Sequence, residues 1–337
     1  MFAYWLRPAL LCAGLFSLVA LMATPAQARQ DIKIGVGFGM AFLPLYLCQE
    51  LNLVEKQGKE AGLDIKANYR HLPDAGAMQD AVRSGAIDFG PYGVAALLIG
   101  WEKAKGTPQQ TLAVAGLSNF PLVLLADRPA IKSIRDLKPT DRISMPSLGA
   151  PQMYVLEMAS EKAFGPGQEN RLRTQVVALP HAESVNALLS GSTEISAYFS
   201  SAPFTQLALA SPKVHAILSS EDVMGPASLL VIGATRHTVE TNRKISDVLA
   251  KAIDTAAEFI RSDPRKAAEI YLKYEPSKTL DVPMLAAVLR ELQDDFGSPV
   301  HGVQAYADFM AKHGQLKNPP ESWKEVVAPS LTKSPSS

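Results

Sequence analysis

The chain is poor in several things that would name a function. It has 337 residues, with two cysteines, six histidines and 33 Lys and Arg against 33 Asp and Glu. Balanced charge removes the basic footprint of a nucleic-acid binder. Two cysteines cannot frame a disulfide-stapled fold, and the histidines, at 71, 181, 215, 237, 301 and 313, are too scattered to suggest a metal cluster. No HExxH, CxxC or G-x-S-x-G occurs. The run GVGFGM (35–40) is not a dinucleotide fingerprint, because Met40 and Phe42 stand where its third glycine would fall. No acid ends the next apolar stretch, where Tyr69-Arg70-His71 sits instead. After residue 28 no apolar run is long enough to span a bilayer. Core material is not lacking: hydrophobic residues are 47%, which excludes wholesale disorder.

What is present begins with a leader. Arg7 precedes the apolar run Pro8 to Met22, and ATPAQA ends in Ala26-Gln27-Ala28. A basic start, an apolar middle and an A-x-A end predict a secretory signal cleaved after Ala28. The run is short for a membrane anchor. Cys12 follows Leu10-Leu11 rather than a small residue, which does not suit lipidation. Cleavage leaves 309 residues (337 less 28), with 32 basic and 33 acidic side chains. Cys48 is then the sole cysteine, without a disulfide partner, and reads as a buried small apolar residue.

Strand-like and helix-like segments alternate along most of the chain. Strands are expected at 32–37, 63–69, 86–89 and 111–115, with helices at 43–55, 74–84 and 94–105 between them. Asp74 suits a helix cap. A second round places strands at 122–126, 142–145, 174–178, 194–198, 214–218 and 229–233. From Thr238 onward the pattern is almost wholly helical, with breaks at Asp263-Pro264, Glu275-Pro276 and Asp281-Val282-Pro283. Such alternation predicts an α/β fold with a mainly parallel sheet.

An internal echo divides that pattern. DAVRSGAIDFG (80–90) matches NALLSGSTEIS (186–196) at Ala81 and Ala187, Gly85 and Gly191, Asp88 and Glu194, each pair 106 residues apart. Each segment reads as a helix end, a glycine cap and a short strand. Two ordinary αβ junctions could match by chance. The other reading is two similarly built lobes, and IKIGVGFGMAF (32–42) and RISMPSLGAPQ (142–152) repeat a strand, glycine loop and helix start in the same order. On that reading lobe 1 takes 29–118 and 228–337, lobe 2 takes 122–220, and the chain crosses near 118–122 and 221–228. Two crossings permit hinge closure over a central cleft.

Ligands of open α/β sheets bind beyond the carboxyl ends of the strands. The cleft loops are therefore expected at 37–42, 90–93, 117–120, 146–152 and 198–202. They offer hydroxyls, amides and free backbone N–H groups. PSLGAPQ (146–152) enters a helix, where N–H groups and the dipole favour an anion, or where the loop only caps. Ser147 adds a hydroxyl, and Gly149 permits close approach. Ser118 and Asn119 could donate from the hinge, and Tyr198, Ser200 and Ser201 from a later strand end. Tyr92 lies in the loop GPYG. Phe38, Phe42, Tyr92, Phe120 and Phe199 are candidate aromatic walls. None of these loops carries a fixed positive charge.

These segments together resemble the solute-binding proteins of ABC importers, in the NMT1/THI5-like or SsuA-like branch for nitrate, sulfonates, taurine and thiamine precursors. The resemblance runs over about 31–315. It rests on the order of PLYLCQELNLVEKQG (44–58), AMQDAVRSGAIDFGPYG (77–93), LKPTDRISMPSLGAPQMYVLEMA (137–159), ALLSGSTEISAYFSSAPF (187–204) and RSDPRKAAEIYLK (261–273). It implies a type II periplasmic binding protein that delivers a solute to a membrane permease driven by a cytoplasmic ATPase; a monomer suits a protein that must close on its ligand. It implies no cofactor, metal or nucleic acid. Carried onto this chain, the ligand contacts are Gly39, Met40, Phe42, Pro91, Tyr92, Ser147, Gly149, Gln152, Tyr198 and Ser200, beside Ser118 and Asn119 at the hinge. Glu194 stands where relatives often have Asp, and the cysteine cluster of the pyrimidine-synthase relatives is missing. An alkyl or aryl sulfonate or a carboxylate suits the aromatic loops better than nitrate. Two rivals stay open: a sensor or binding protein without a transporter, for instance for a thiamine precursor, and an exported hydrolase using His181, Glu183 and a nearby Ser.

Overall fold

The computed structural model describes residues 29–72, 75–191 and 195–333. The leader, the Asp74 cap and Glu194 of the internal echo lie outside them. Ten strands form two sheets: β1 (Gln30–Val36), β2 (Ile65–His71), β3 (Gly90–Tyr92), β4 (Thr111–Ser118), β5 (Val123–Ala126), β6 (Ile143–Met145), β7 (Val176–Ala178), β8 (Ala197–Ser200), β9 (His215–Ser219) and β10 (Leu230–Thr235). In lobe 1, β1 pairs parallel with β2, and a parallel bridge from Ile34 to Phe89 joins β1 to the chain entering β3. β10 then pairs antiparallel with both β3 and β4. The order is β2-β1-β3-β10-β4. Lobe 2 runs β7-β6-β8-β5-β9, with β5 antiparallel to β8 and β9.

The two orders are one pattern used twice. β6, β7, β8 and β9 repeat β1, β2, β3 and β4. Each sheet also takes one reversed strand from the segment just after a crossing, β5 in lobe 2 and β10 in lobe 1. The echo in sequence corresponds to this repeat. Gly85 and Gly191 both adopt positive φ, 75° and 65°, after a helix. The next strands start alike: the Lys33 carbonyl accepts from the N–H groups of Asp88 and Phe89, and the Arg142 carbonyl from those of Ser196 and Ala197.

The alternation of side chains along each strand builds the cores. In the β5–β8 pair, Leu124 faces Phe199 and Leu125 faces Tyr198. The first pair joins the core that contains Met145, Met153 and Leu156, and the second joins Val185, Leu188 and Ala208 on the opposite face. Each such buried side chain stabilises the fold by about 1.5–3 kcal/mol. β4 is buried along its whole length because the C-terminal segment covers its outer edge: Ala113 donates to the Val326 carbonyl and accepts from Ala328.

Several element ends differ from the sequence expectation. The helix expected over 43–55 is two helices, Leu43–Leu51 and Leu53–Glu60, parted at Asn52, which sits in the left-handed region at φ 51°. β3 lies at Gly90–Tyr92 and not at 86–89, because only the bridge at Phe89 precedes the pairing with β10. The late helices break where proline forbids continuation: Asp263 caps Pro264–Tyr274, and Asp281 caps Val282–Glu291. Helix Arg243–Ser262 buries Ile245, Val248, Leu249, Ala252, Ile253, Ala256 and Ile260, a single 3.6-period face. No described helix is long and apolar enough to cross a membrane. Cys48 is buried and unpaired, and burial pushes its thiol up.

Candidate ligand-binding cleft

Contacts between the lobes begin at the loops that follow β3 and β6. The lobes touch at the floor and the rim. A Cβ placed on Gly93 would lie 3.4 Å from Pro151 Cγ, so the loops after β3 and β6 meet. Met158 and Ala202 of lobe 2 pack into the core of lobe 1. Gln206 Nε2 donates to Glu291 Oε1 at 3.1 Å from the opposite lobe. Farther round, Glu161 of helix Pro151–Phe164 meets Lys312 at 3.0 Å and His313 at 3.2 Å on lobe 1.

The hinge is a small polar network. Ser118 ends β4; its carbonyl accepts from Leu229, and its hydroxyl is fully buried without a partner among the described residues. Asn119 donates its backbone N–H to the Asp295 carbonyl at 2.6 Å, and its side chain accepts from Ser228 Oγ at 2.8 Å. The two crossing segments are thus bonded to each other. Burial first, then the nearby carboxylates of Glu221, Asp294 and Glu291, push Asp295 up to about 6.

On the lobe 2 side, Ser147, Leu148 and Gly149 are exposed at the entry to helix Pro151–Phe164, and nothing lies within 4 Å of where a Gly149 Cβ would be. Pro151 opens that helix as expected, and Gln152 is buried behind it. Tyr198 and Ser200 are both buried. Ser200 Oγ donates to the Val123 carbonyl at 2.7 Å and pairs with Thr205 Oγ1 at 2.8 Å. The less buried hydroxyl is that of Ser201, just past the strand end and 3.1 Å from His181 Nε2. His181 Nδ1 lies 2.5 Å from the Tyr198 hydroxyl, and its ring stacks on Phe204. Tyr198 makes no other hydrogen bond among the described residues, so its hydroxyl donates to Nδ1, which carries no proton. His181 Nε2–H then donates to Ser201 Oγ, and the Ser201 proton is free to point into the cleft.

This arrangement also decides the hydrolase reading. Burial holds His181 at about 4, far below a base able to activate serine near neutrality. Glu183 is exposed, and Ser184 spends its hydroxyl on the Leu179 carbonyl. No carboxylate among the described residues bonds to the imidazole.

On the lobe 1 side, Gly39 is half-buried at φ 109°, Met40 is buried, and the Phe42 ring lies over Gly37. The Gly39 N–H is not free: it donates to Glu275 Oε1 at 2.7 Å. The Tyr46 hydroxyl lies 2.6 Å from that same oxygen and 2.9 Å from the Gly37 carbonyl. Burial, reinforced by Glu275, pushes the Tyr46 phenol up. Pro91 and Tyr92 lie within β3 and are buried, with the Tyr92 ring packed on Gly233. Of the aromatic candidates, Tyr92, Phe120 and Phe199 are core, Phe42 is half-buried, and Phe38 is 56% exposed at the cleft lip. Sequence reading passed over Tyr46, Glu275 and the His181–Ser201 pair. Glu275 is 236 positions from Gly39 and read only as a helix break, so no local pattern could join the two. Two cavities, about 470 and 980 Å³, lie on lobe 1 beside Trp101 and along helix Arg243–Ser262; none of the five cleft loops lines either.

Comparison with known proteins agrees with this architecture. The sequence model of the NMT1-like family matches residues 30–272. A search of curated proteins finds no significant match. Among solved structures, the periplasmic aliphatic sulphonate binding protein SsuA from Escherichia coli has TM-score 0.69 at 19% identity, over 90% of this chain and 99% of that one. The alkanesulfonate-binding SsuA from Xanthomonas axonopodis pv. citri, bound to MOPS, has TM-score 0.65 at 16% identity, over 91% and 98%. The periplasmic nitrate-binding protein NrtA from Synechocystis PCC 6803 has TM-score 0.55 at 14% identity, over 77% and 70%. The chain belongs to the NMT1-like family, and its two-lobed α/β fold is the type II fold of non-catalytic periplasmic binding proteins.

Proposed function

We propose that this protein is the extracytoplasmic solute-binding component of an ABC importer for a small anionic solute. It would capture a sulfonate, taurine, carboxylate or nitrate-like compound between its lobes and deliver it to a membrane permease driven by a cytoplasmic ATPase. The observation that carries the reading is the strand order repeated in two sheets, with the two segments that cross between them bonded to each other at Ser118–Leu229 and Asn119–Ser228. Family membership supports it, and so do the sulfonate- and nitrate-binding proteins that share the fold. In this reading residues 29–118 with 228–337 form one moving body and 122–220 the other. The leader is removed after Ala28, and the protein works as a monomer in the periplasm.

Ser147, Gly149 and the Ser201 hydroxyl are the donors lobe 2 offers an anion. Gly39, Met40, Phe42 and Asn119 stand opposite or at the hinge. Gln152, Tyr198, Ser200, Pro91, Tyr92 and Ser118 act behind the surface by fixing these loops. Isothermal calorimetry with ethanesulfonate, longer alkanesulfonates, short carboxylates and nitrate tests the reading. Saturable binding of at least one at micromolar concentration supports it. Absence of binding heat with every one of them and with 2-aminoethanesulfonate contradicts it.

A further inference from the structure

Resting on that reading, we infer that the solute carries a cationic group, such as a protonated amine, in addition to its anionic group, and that Glu275 receives it at the lobe 1 side of the cleft. The loop after β1 was expected to offer a backbone donor to an anion. Instead the Gly39 N–H and the Tyr46 hydroxyl both converge on Glu275 Oε1, at 2.7 and 2.6 Å. These contacts fix the carboxylate and leave Oε2 uncommitted. No Lys, Arg or His among the described residues forms an ion pair with Glu275. The nearest cation in sequence, Lys273 two positions before it, is held by both oxygens of Glu50 at 2.8 Å.

The Tyr46 ring whose hydroxyl holds this carboxylate belongs to an aromatic cluster. Tyr46 stacks on Tyr274 with centroids 4.8 Å apart, and His71 lies 6.1 Å from each. Phe38, the exposed aromatic of the lip, sits 5.8 Å from His71. A fixed carboxylate without a counter-cation among the described residues, held by a tyrosine of an aromatic cluster, is the chemistry that recognises an alkylammonium: the oxygen takes the charge and nearby rings take the adjacent CH groups. The anionic end then belongs across the cleft, on the uncharged donors of Ser147 and Ser201. The cleft loops supply no fixed positive charge, and Glu275 adds a negative one, so charge complementarity asks for a cation on the solute.

The test is a matched pair of probes. We expect wild-type protein to bind 2-aminoethanesulfonate about tenfold or more tighter than ethanesulfonate, or β-alanine similarly tighter than propionate. Glu275→Gln keeps an acceptor oxygen for Gly39 and Tyr46 and so preserves the loop; it should erase the preference while leaving the affinity for the amine-free probe within about twofold. Phe38→Ala, at an exposed position, should weaken only the amine-bearing probe. Equal binding within each pair by wild-type protein overturns the inference and leaves the solute-binding function standing. Tighter binding of ethanesulfonate by Glu275→Gln would make Glu275 an internal competitor for the anion, which also overturns it. Binding of no probe at all removes both the function and this inference.

Discussion

Asp295→Asn should stabilise the protein at neutral pH and do nothing in acid. Asp295 sits at the hinge, where its backbone carbonyl holds Asn119. Burial and the carboxylates of Glu221, Asp294 and Glu291 raise its titration from the ordinary 3.8 to about 6. The sign follows directly. Near pH 4 the unfolded chain begins to lose this proton while the native state keeps it until about 6. The unfolded state therefore binds fewer protons between those values, and stability falls as pH rises through the window. Each pH unit of displacement is worth about 1.4 kcal/mol. The full displacement gives about 3 kcal/mol, and screening of a half-buried group by solvent reduces that to about 1–2 kcal/mol. Asparagine keeps the size and the backbone bond and removes the charge. Differential scanning calorimetry at pH 7.5 should show Tm raised by about 2–5 °C over wild type, with the two proteins converging at pH 4. A gain that is the same at both pH values, or a loss at pH 7.5, would refute the electrostatic account of this hinge.

Three further outcomes are expected. Gly116→Ala should lower stability by about 2–3 kcal/mol in a urea titration, because its Cβ would lie 2.1 Å from the Pro299 carbonyl oxygen, a backbone atom that cannot step aside. Gly149→Val should leave Tm nearly unchanged, since its Cβ position is open space, yet weaken solute binding about tenfold or more by blocking approach to the helix entry; unchanged affinity by calorimetry would place the solute elsewhere. Glu161→Gln should lower stability at pH 7 by about 0.5–1 kcal/mol, given the exposure of Lys312. Burial opposes ionisation of Glu161, but hydrogen bonds from Lys312 and His313 outweigh it and hold the carboxyl below its usual range. The stabilisation is therefore present above the unfolded pKa and fades as pH falls below about 4. A deficit that persists at pH 3 would contradict it.

Much of the fold was legible because each lobe is assembled from local signals. Period-2 runs, glycine after helix ends and proline at helix starts mark elements within a few residues of where they lie, and the Gly85–Gly191 echo reports the repeated topology. What was not legible depends on pairing at a distance. β3 moved to Gly90–Tyr92 because its partner is β10, and the break at Asn52 needed a left-handed backbone that a polar residue only permits. The site divides the same way. Ser147 and Gly149 are exposed at a helix entry that Pro151 announces. Tyr198 and Ser200 both point into lobe 2, because alternation along β8 sets residues two apart on one core face with Phe199 on the other, and Ser201 lies just past the strand end, half-buried. The contact of Glu275 with Gly39 exists only because helix Pro264–Tyr274 returns to pack beside helix Leu43–Leu51, and nothing near either residue encodes that return.

The most direct measurement is a crystal structure of the protein purified from the periplasm of its host with its solute still bound. The account predicts a small molecule enclosed between the strand ends, within contact of the Gly39 loop on one side and of Ser147 and Ser201 on the other. Electron density for the solute in the cavity beside Trp101 or along helix Arg243–Ser262, with side chains filling the space between the lobes, would contradict it.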